Sequence, residues 1–164
     1  MTVIGLISDT HDFLDPKIQD YFQECHQIWH MGDIGRKEIL DQLRQIAPLK
    51  AVFGNIDSKE LQWELPENEI IELEGLRFLL THIAGKPPTY NARVRKLIKE
   101  DSFDIILCGH SHQQAVIKDR ENNLVFINPG AAGKQGFHTF KSVMKMWVEN
   151  KKITNLDLLR LGRK

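Results

Sequence analysis

The sequence predicts an α/β domain in which two packed β-sheets carry helices on their outer faces. Two observations lead there. Up to Phe53 the apolar runs alternate strand, helix, strand, helix, strand, the rhythm of right-handed crossovers and a parallel sheet. From Phe103 onward the chain is mostly extended, with short runs broken by polar turns, which calls for a second sheet sharing the same core. At 164 residues, with no repeat, linker or low-complexity tract, the simplest reading is one domain over residues 1–164.

The first strand lies within Ile4-Gly5-Leu6-Ile7-Ser8-Asp9-Thr10-His11, an apolar run that ends in a carboxylate and an imidazole. In extended chain, alternate residues share a face, so Asp9 and His11 are expected to project the same way. Asp15-Pro16 then supplies a helix cap and a first-turn proline, and Ile18, Tyr21, Phe22 and Cys25 recur at helical spacing. Gln27 to Met31 is the next strand and runs into Gly32-Asp33. Lys37 to Ile46 is a helix stopped by Pro48, and Leu49 to Phe53 is a strand leading to Gly54-Asn55-Ile56-Asp57.

Glu69 to Leu73 and Leu76 to Thr81, around Glu74-Gly75, form a hairpin that delivers His82. Asn91 to Glu100 is a basic helix whose Arg93, Arg95, Lys96 and Lys99 are expected on a solvated face. Phe103 to Cys108 is an apolar strand ending in Gly109-His110-Ser111-His112. Ala115 to Lys118 pairs with Leu124 to Asn128, and Pro129 to Gly136 is a glycine-rich loop. Ser142 to Val148 and Ile153 to Leu161 alternate around a turn at Asn150-Lys151.

Composition removes several classes of function. Lys+Arg and Asp+Glu both number 22, so no net field draws nucleic acid or an anionic membrane. No apolar run approaches the roughly 20 residues of a membrane span, and Met1 to Gly5 lacks the basic start of a signal peptide. Cys25 and Cys108 are expected as buried free thiols, and the chain reads as cytoplasmic. Gly133-Lys134 is followed by Gln135, which breaks the nucleotide-binding loop pattern.

What remains is a set of metal-type ligands: Asp9 with His11, then Asp33, Asn55, His82, and His110 with His112, all in loops after strands. Imidazole nitrogens with carboxylate and amide oxygens, and no thiolate, suit Mn, Fe, Zn, Ni or Co better than a structural cysteine site. Seven side chains exceed the needs of one ion. Two adjacent ions sharing a carboxylate use them economically, and such pairs hydrolyse phosphate esters.

At these residues the sequence resembles the calcineurin-like metallophosphoesterases. Asp9-Thr10-His11, Gly32-Asp33, Gly54-Asn55-Ile56-Asp57, His82 and Gly109-His110-Ser111-His112 match the family's five blocks in order. Asn128-Pro129-Gly130 is similar to a turn of its small single-domain prokaryotic members, and the likeness runs from Leu6 to about Gly133. The resemblance implies an αββα sandwich of mixed sheets. It puts Asp9, His11, Asp33 and His112 on one divalent ion, and Asp33, Asn55, His82 and His110 on the other, with Mn the first choice and Ni, Fe, Zn, Co or Mg as options. Asp33 is then the bridge, and Asn55 and His82 join it in the catalytic set, with Asp57 orienting a ligand or its loop. The implied reaction is in-line attack on phosphorus by a hydroxide held between the metals.

Two departures stand out. Ile56 occupies the place where many members carry a histidine thought to assist the leaving group, and His82-Ile83-Ala84 replaces a frequent His-Gly-His. An enzyme without that acid favours leaving groups that need little protonation, which leans the reading toward phosphodiesters. A phosphomonoesterase for a small metabolite is the nearby alternative. A metal-binding scaffold, like the retromer subunit of this fold, is the distant one, although all seven ligands are present here. The expected partner is a phosphate-ester substrate, with no nucleic-acid or membrane signature. Small relatives often form homo-oligomers. His26 and His138 carry no spacing argument and are read as structural; His30 is read as a core-edge residue. Trp29, Trp63 and Trp147 are read as packing residues, with Trp63 placed to line a substrate groove.

Overall fold

Two five-stranded sheets face one another in the computed structural model, which describes residues 1–164. The strands are β1 (Thr2–Ile7), β2 (Gln27–His30), β3 (Leu49–Ala51), β4 (Asn68–Leu73), β5 (Leu76–Thr81), β6 (Ile105–Leu107), β7 (Gln114–Asp119), β8 (Leu124–Pro129), β9 (Phe140–Glu149) and β10 (Lys152–Arg163). The helices are α1 (Lys17–Phe22), α2 (Glu38–Arg44), α3 (Lys59–Glu64) and α4 (Ala92–Glu100). One sheet has the order β10-β9-β1-β2-β3 and the other β4-β5-β6-β8-β7. Both are mixed. In the first, β1, β2 and β3 run parallel while β9 returns antiparallel to β1; in the second, β5, β6 and β8 run parallel.

The layers follow from which faces are apolar. Between the sheets, Ile4, Leu6, Trp29 and Met31 meet Phe78, Leu80, Ile105 and Leu107. Trp29 and Phe78 contact edge to face at 5.1 Å, an arrangement the ring quadrupoles favour. The outer face of the first sheet packs under α1, α2 and α3 through Ile18, Phe22, Leu40, Leu43 and Leu61. The outer face of the second packs under α4 through Leu79, Val94, Phe103 and Ile106. This is the αββα sandwich the sequence implies. No helix is long and apolar enough to cross a membrane.

Several boundaries differ locally. Helix α1 starts at Lys17, so Pro16 rather than Asp15 holds the cap position, although Asp15 Oδ1 accepts from the Lys17 N–H at 3.0 Å just ahead of the first turn. Helix α3 was not expected. Its signal is Ser58, whose hydroxyl accepts from the Leu61 N–H, although only Leu61 of its six residues is buried. Trp63 on that helix is 84% exposed, so it is not a packing residue, whereas Trp29 is fully buried. Both cysteines are free and buried, and burial pushes the thiols up, Cys25 to about 11. Arg93 is not on a solvated face. Its guanidinium donates to Asn68, to Thr81 Oγ1 at 3.0 Å and to the Ile83 carbonyl at 2.7 Å, tying α4 to β4 and the end of β5.

Candidate metal centre

Parallel strands put their carboxyl ends on one edge, and that edge is where the five ligand-bearing loops meet. Backbone hydrogen bonds fasten them to one another. Asp9 N donates to Gly32 O at 3.0 Å and His11 N to Asp33 O at 3.1 Å, which zips the first loop to the second. Gly109 N donates to His82 O at 3.1 Å, and Gly133 N to Asp9 O at 2.9 Å. Glycine is required where the loops touch: a Cβ on Gly54 would overlap the Asp33 carboxylate, and one on Gly109 would overlap Ser8 and Asp9.

The sequence-derived orientation of Asp9 and His11 needs correction. Strand β1 ends at Ile7, and Asp9 and His11 have φ of 53° and 43°. Asp33, His110 and His112 are also left-handed, at 54°, 67° and 59°. The side chains converge because the loops turn through this region, not because they alternate along a strand. Left-handed backbone in non-glycine residues costs on the order of 1 kcal/mol or more each and gathers at functional sites.

The side chains form two adjoining triads, Asp9 with His11 and His112, and Asp33 with His82 and His110, whose ligand atoms lie within 4.8 Å of one another in each group. Asp33 Oδ2 stands between them, 3.2 Å from His82 Nε2 and 3.6 Å from His11 Nε2. Asp9 Oδ1 is 3.1 Å from His112 Nε2. The far sides of these groups are already engaged. Asp9 Oδ2 accepts from the Ser8 hydroxyl at 2.7 Å and the His110 N–H at 3.1 Å, and Asp33 Oδ1 accepts from the Ile56 N–H at 3.1 Å. His82 Nδ1 donates to the Met31 carbonyl at 2.7 Å, which leaves its Nε2 bare.

Asp9 Oδ1, His11 Nε2 and His82 Nε2 are buried with no hydrogen-bond partner, and all aim into the same space. Orphaned polar atoms of this kind are rare in proteins and costly. Divalent cations accept their lone pairs, and the nitrogen-oxygen donor set fits such ions. Burial disfavours charge on both His82 and Asp33, but their mutual contact pulls the other way, so the Asp33 pKa lies below and the His82 pKa above its ordinary value. Asn55 is exposed, and it and His82 border a cavity of about 230 Å³ whose lining also includes Arg93 and Glu67. A larger hollow of about 470 Å³ lies between α1 and α2 and is lined by carboxylates and glutamines, away from the triads.

Comparison with known proteins matches residues 1–151 to the calcineurin-like phosphoesterase superfamily domain. A probable metallophosphoesterase of Methanocaldococcus jannaschii is 34% identical over 155 residues, covering 91% of this chain and 77% of the relative. Another, of Methanothermobacter thermautotrophicus, is 31% identical over 165 residues, covering 98% and 93%. The chain belongs to the calcineurin-like phosphoesterases. Among solved structures, a novel archaeal phosphodiesterase superposes with a TM-score of 0.78 at 21% identity, covering 97% of this chain and 99% of that one. Vps29 of Chaetomium thermophilum superposes with a TM-score of 0.77 at 20% identity, covering 98% and 97%. These two likenesses are to the fold.

Three further side chains brace the ligand-bearing loops. Asp57, read as an orienting residue, is buried and spends its carboxylate on backbone. Oδ1 accepts from Ile34 N at 2.8 Å and Gly35 N at 2.9 Å, and Oδ2 from Gly54 N at 2.7 Å. It thus fastens the loop after Asp33 to the loop that carries Asn55. His30 does the same between the first two loops. Its Nδ1 accepts from Gly32 N at 3.1 Å, so its Nε2 donates to Thr10 Oγ1 at 3.0 Å, and burial pulls its pKa down to about 3. Third is His138, whose Nδ1 lies 3.2 Å from His112 Nδ1. No spacing in the sequence connects His138 to the ligands; only the fold of the glycine-rich loop brings it there. His26 is structural as expected, accepting from the Val3 N–H at 3.0 Å.

Proposed function

We propose that this protein is a binuclear metal-dependent phosphodiesterase, with Asp9, His11, Asp33 and His112 on one ion and Asp33, Asn55, His82 and His110 on the other. The single observation that carries the reading is the position of Asp33 Oδ2 between His82 Nε2 and His11 Nε2, shared by two triads in which Asp9 Oδ1, His11 Nε2 and His82 Nε2 lack partners. These residues would hold divalent ions, manganese being the first to test, which would supply an activated water and charge neutralisation at the phosphoryl oxygens. The chain's own part is to hold bare imidazole nitrogens and carboxylate oxygens in place before the ions arrive, through the Met31 carbonyl, Ser8 and the Ile56 N–H.

The diester preference rests on the leaving-group side. Ile56, 47% exposed beside Asn55, carries no proton to give. Arg93, which lines the adjoining cavity, donates to Asn68, Thr81 and Ile83 and pairs with Glu67 at 3.5 Å, so it braces the wall rather than standing as a free phosphate clamp. A leaving group here departs without help from these residues, which favours esters of acidic alcohols and phenols. The two buried, free thiols fit work in the reducing cytoplasm. A second reading, a metal-holding interaction module, draws on the likeness of the fold to Vps29.

The test uses metal-stripped protein, with Mn, Ni, Zn, Co or Mg added back, against bis-p-nitrophenyl phosphate and p-nitrophenyl phosphate. Metal-dependent cleavage of the diester, lost in Asn55→Ala and His82→Ala, is the expected result. Faster cleavage of the monoester would retain the centre and overturn the diester assignment. Two bound ions with no turnover on either substrate would favour the interaction module.

A further inference from the structure

A histidine that ligates through Nε2 must carry its hydrogen on Nδ1, and something must accept that hydrogen. For His82 the acceptor is the Met31 carbonyl. His112 has no carbonyl in that place; the atom facing its Nδ1 at 3.2 Å is Nδ1 of His138. The other nitrogen of His138, Nε2, lies 2.9 Å from the Gly133 carbonyl oxygen. A carbonyl only accepts, so His138 Nε2 carries a hydrogen and, in the neutral ring, Nδ1 offers a lone pair. The chain Gly133 O, His138, His112 therefore has one hydrogen-bond polarity compatible with ligation. His138 Nε2–H donates to Gly133, His112 Nδ1–H donates to His138, and His112 Nε2 is left bare 3.1 Å from Asp9 Oδ1.

We propose that His138 is a positioning residue of the metal centre, an acceptor that fixes the tautomer and rotation of His112 so that Nε2 presents its lone pair beside Asp9 and His11. The proposal rests on the binuclear reading above. The loop that carries His138 is shaped for the task. Gly136, at φ 116°, lies so close that a Cβ there would overlap the His112 ring and reach 3.2 Å from His138 Nδ1. The two imidazoles meet edge to face at 5.0 Å between centroids and 77° between planes. Gly133 closes the arrangement, since its N–H donates to the Asp9 carbonyl at 2.9 Å while its own carbonyl holds His138. One loop thus fastens two residues of the same triad. Phe137, between Gly136 and His138, is fully exposed, so the backbone and His138 make these contacts rather than a packed apolar side chain.

Substitutions separate an acceptor from a space-filler. In His138→Asn the amide oxygen can take the place of Nδ1, in His138→Gln it reaches toward Nε2 instead, and in His138→Phe the ring remains with no acceptor. Metal-stripped proteins would be titrated with manganese by calorimetry, and the bound ions counted by elemental analysis. The parent should bind two ions. His138→Phe and His138→Gln should lose about 10- to 100-fold in affinity at one of the two sites, the range for loss of a ligand's outer partner. His138→Asn should stay within a few-fold of the parent. Metal-free unfolding midpoints would be compared alongside. If the Phe variant did not fold, the contrast between Asn and Gln would carry the same test. A parent binding two ions, with Phe or Gln binding both as tightly, would overturn the role of His138 alone, as would Asn losing as much as Phe. A parent that bound fewer than two ions would overturn the binuclear reading and this proposal with it.

Discussion

Replacing Asp57 with alanine strips three backbone N–H groups of their acceptor, those of Ile34, Gly35 and Gly54. The bonds to Ile34 and Gly54 are buried, and the bond to Gly35 is partly exposed, so water can replace only the last. A buried donor left unpaired costs about 1–3 kcal/mol, which gives a gross loss of about 2–6 kcal/mol for the two buried ones. Part of this is offset. Burial, reinforced by the nearby Asp33 charge, pushes the Asp57 carboxyl above its ordinary pKa despite the three N–H donors. A raised acid pKa means that ionisation itself weakens the fold above the ordinary value, and alanine removes that burden. The expected net loss at neutral pH is therefore in the lower half of that range, about 3 kcal/mol. For a chain of this length it corresponds to a fall in melting temperature of about 6–12 °C. Urea unfolding of the metal-free protein measures it. Asp57→Asn, which keeps Oδ1 for Ile34 and Gly35 but turns a donor on Gly54 N, should lose about half as much. If Asp57→Ala unfolded within about 1 kcal/mol of the parent, the argument that this carboxylate fastens the Asp33 and Asn55 loops would be refuted.

The buried pair Lys141–Asp15, 2.7 Å apart, gives a pH-dependent prediction. Burial alone would raise Asp15, but the Lys141 hydrogen bond and charge, together with the Lys17 N–H, outweigh it and hold the carboxyl below its usual range. Its stabilisation is therefore present above about pH 4 and fades as pH falls through the folded pKa. Lys141→Met should cost about 3 kcal/mol at pH 7, and the gap from the parent should narrow below pH 4, as followed by denaturant melts. Chelation should lower the melting temperature of the loaded protein, since an ion at 100 times its Kd adds about 2.7 kcal/mol. Asp33→Ala should lose both the metal-induced rise and metal-dependent turnover; full turnover in that variant would remove the bridging role. Ile56→His should quicken hydrolysis of alkyl diesters by up to about 100-fold while changing aryl diesters little, measured as a ratio of kcat/KM values.

Much of the site was legible because each ligand sits just after an apolar run, and apolar runs in a βαβ rhythm become parallel strands whose carboxyl ends share an edge. Asp9, Asp33 and Asn55 needed no more than that to be placed together, and the hairpin at Glu74-Gly75 did the same for His82. Other features were hidden. Alternation along an extended strand was the wrong geometry for Asp9 with His11, because the left-handed backbone there, as at His110 and His112, depends on neighbouring loops that hold it in place. Arg93 looked like one charge among several on a basic helix; its half-buried place against β4 and β5 depends on how α4 docks.

The sequence by itself determined the αββα layering, the family and the chemical type of the donors, since hydropathy period and residue identity are local properties. Only the tertiary structure decided which atoms face one another: Asp33 Oδ2 between two imidazoles, Asp57 spent on three amides, and His138 set against His112 from 26 residues away. Such pairings depend on side-chain rotation and loop closure between segments distant in sequence, which no local pattern records.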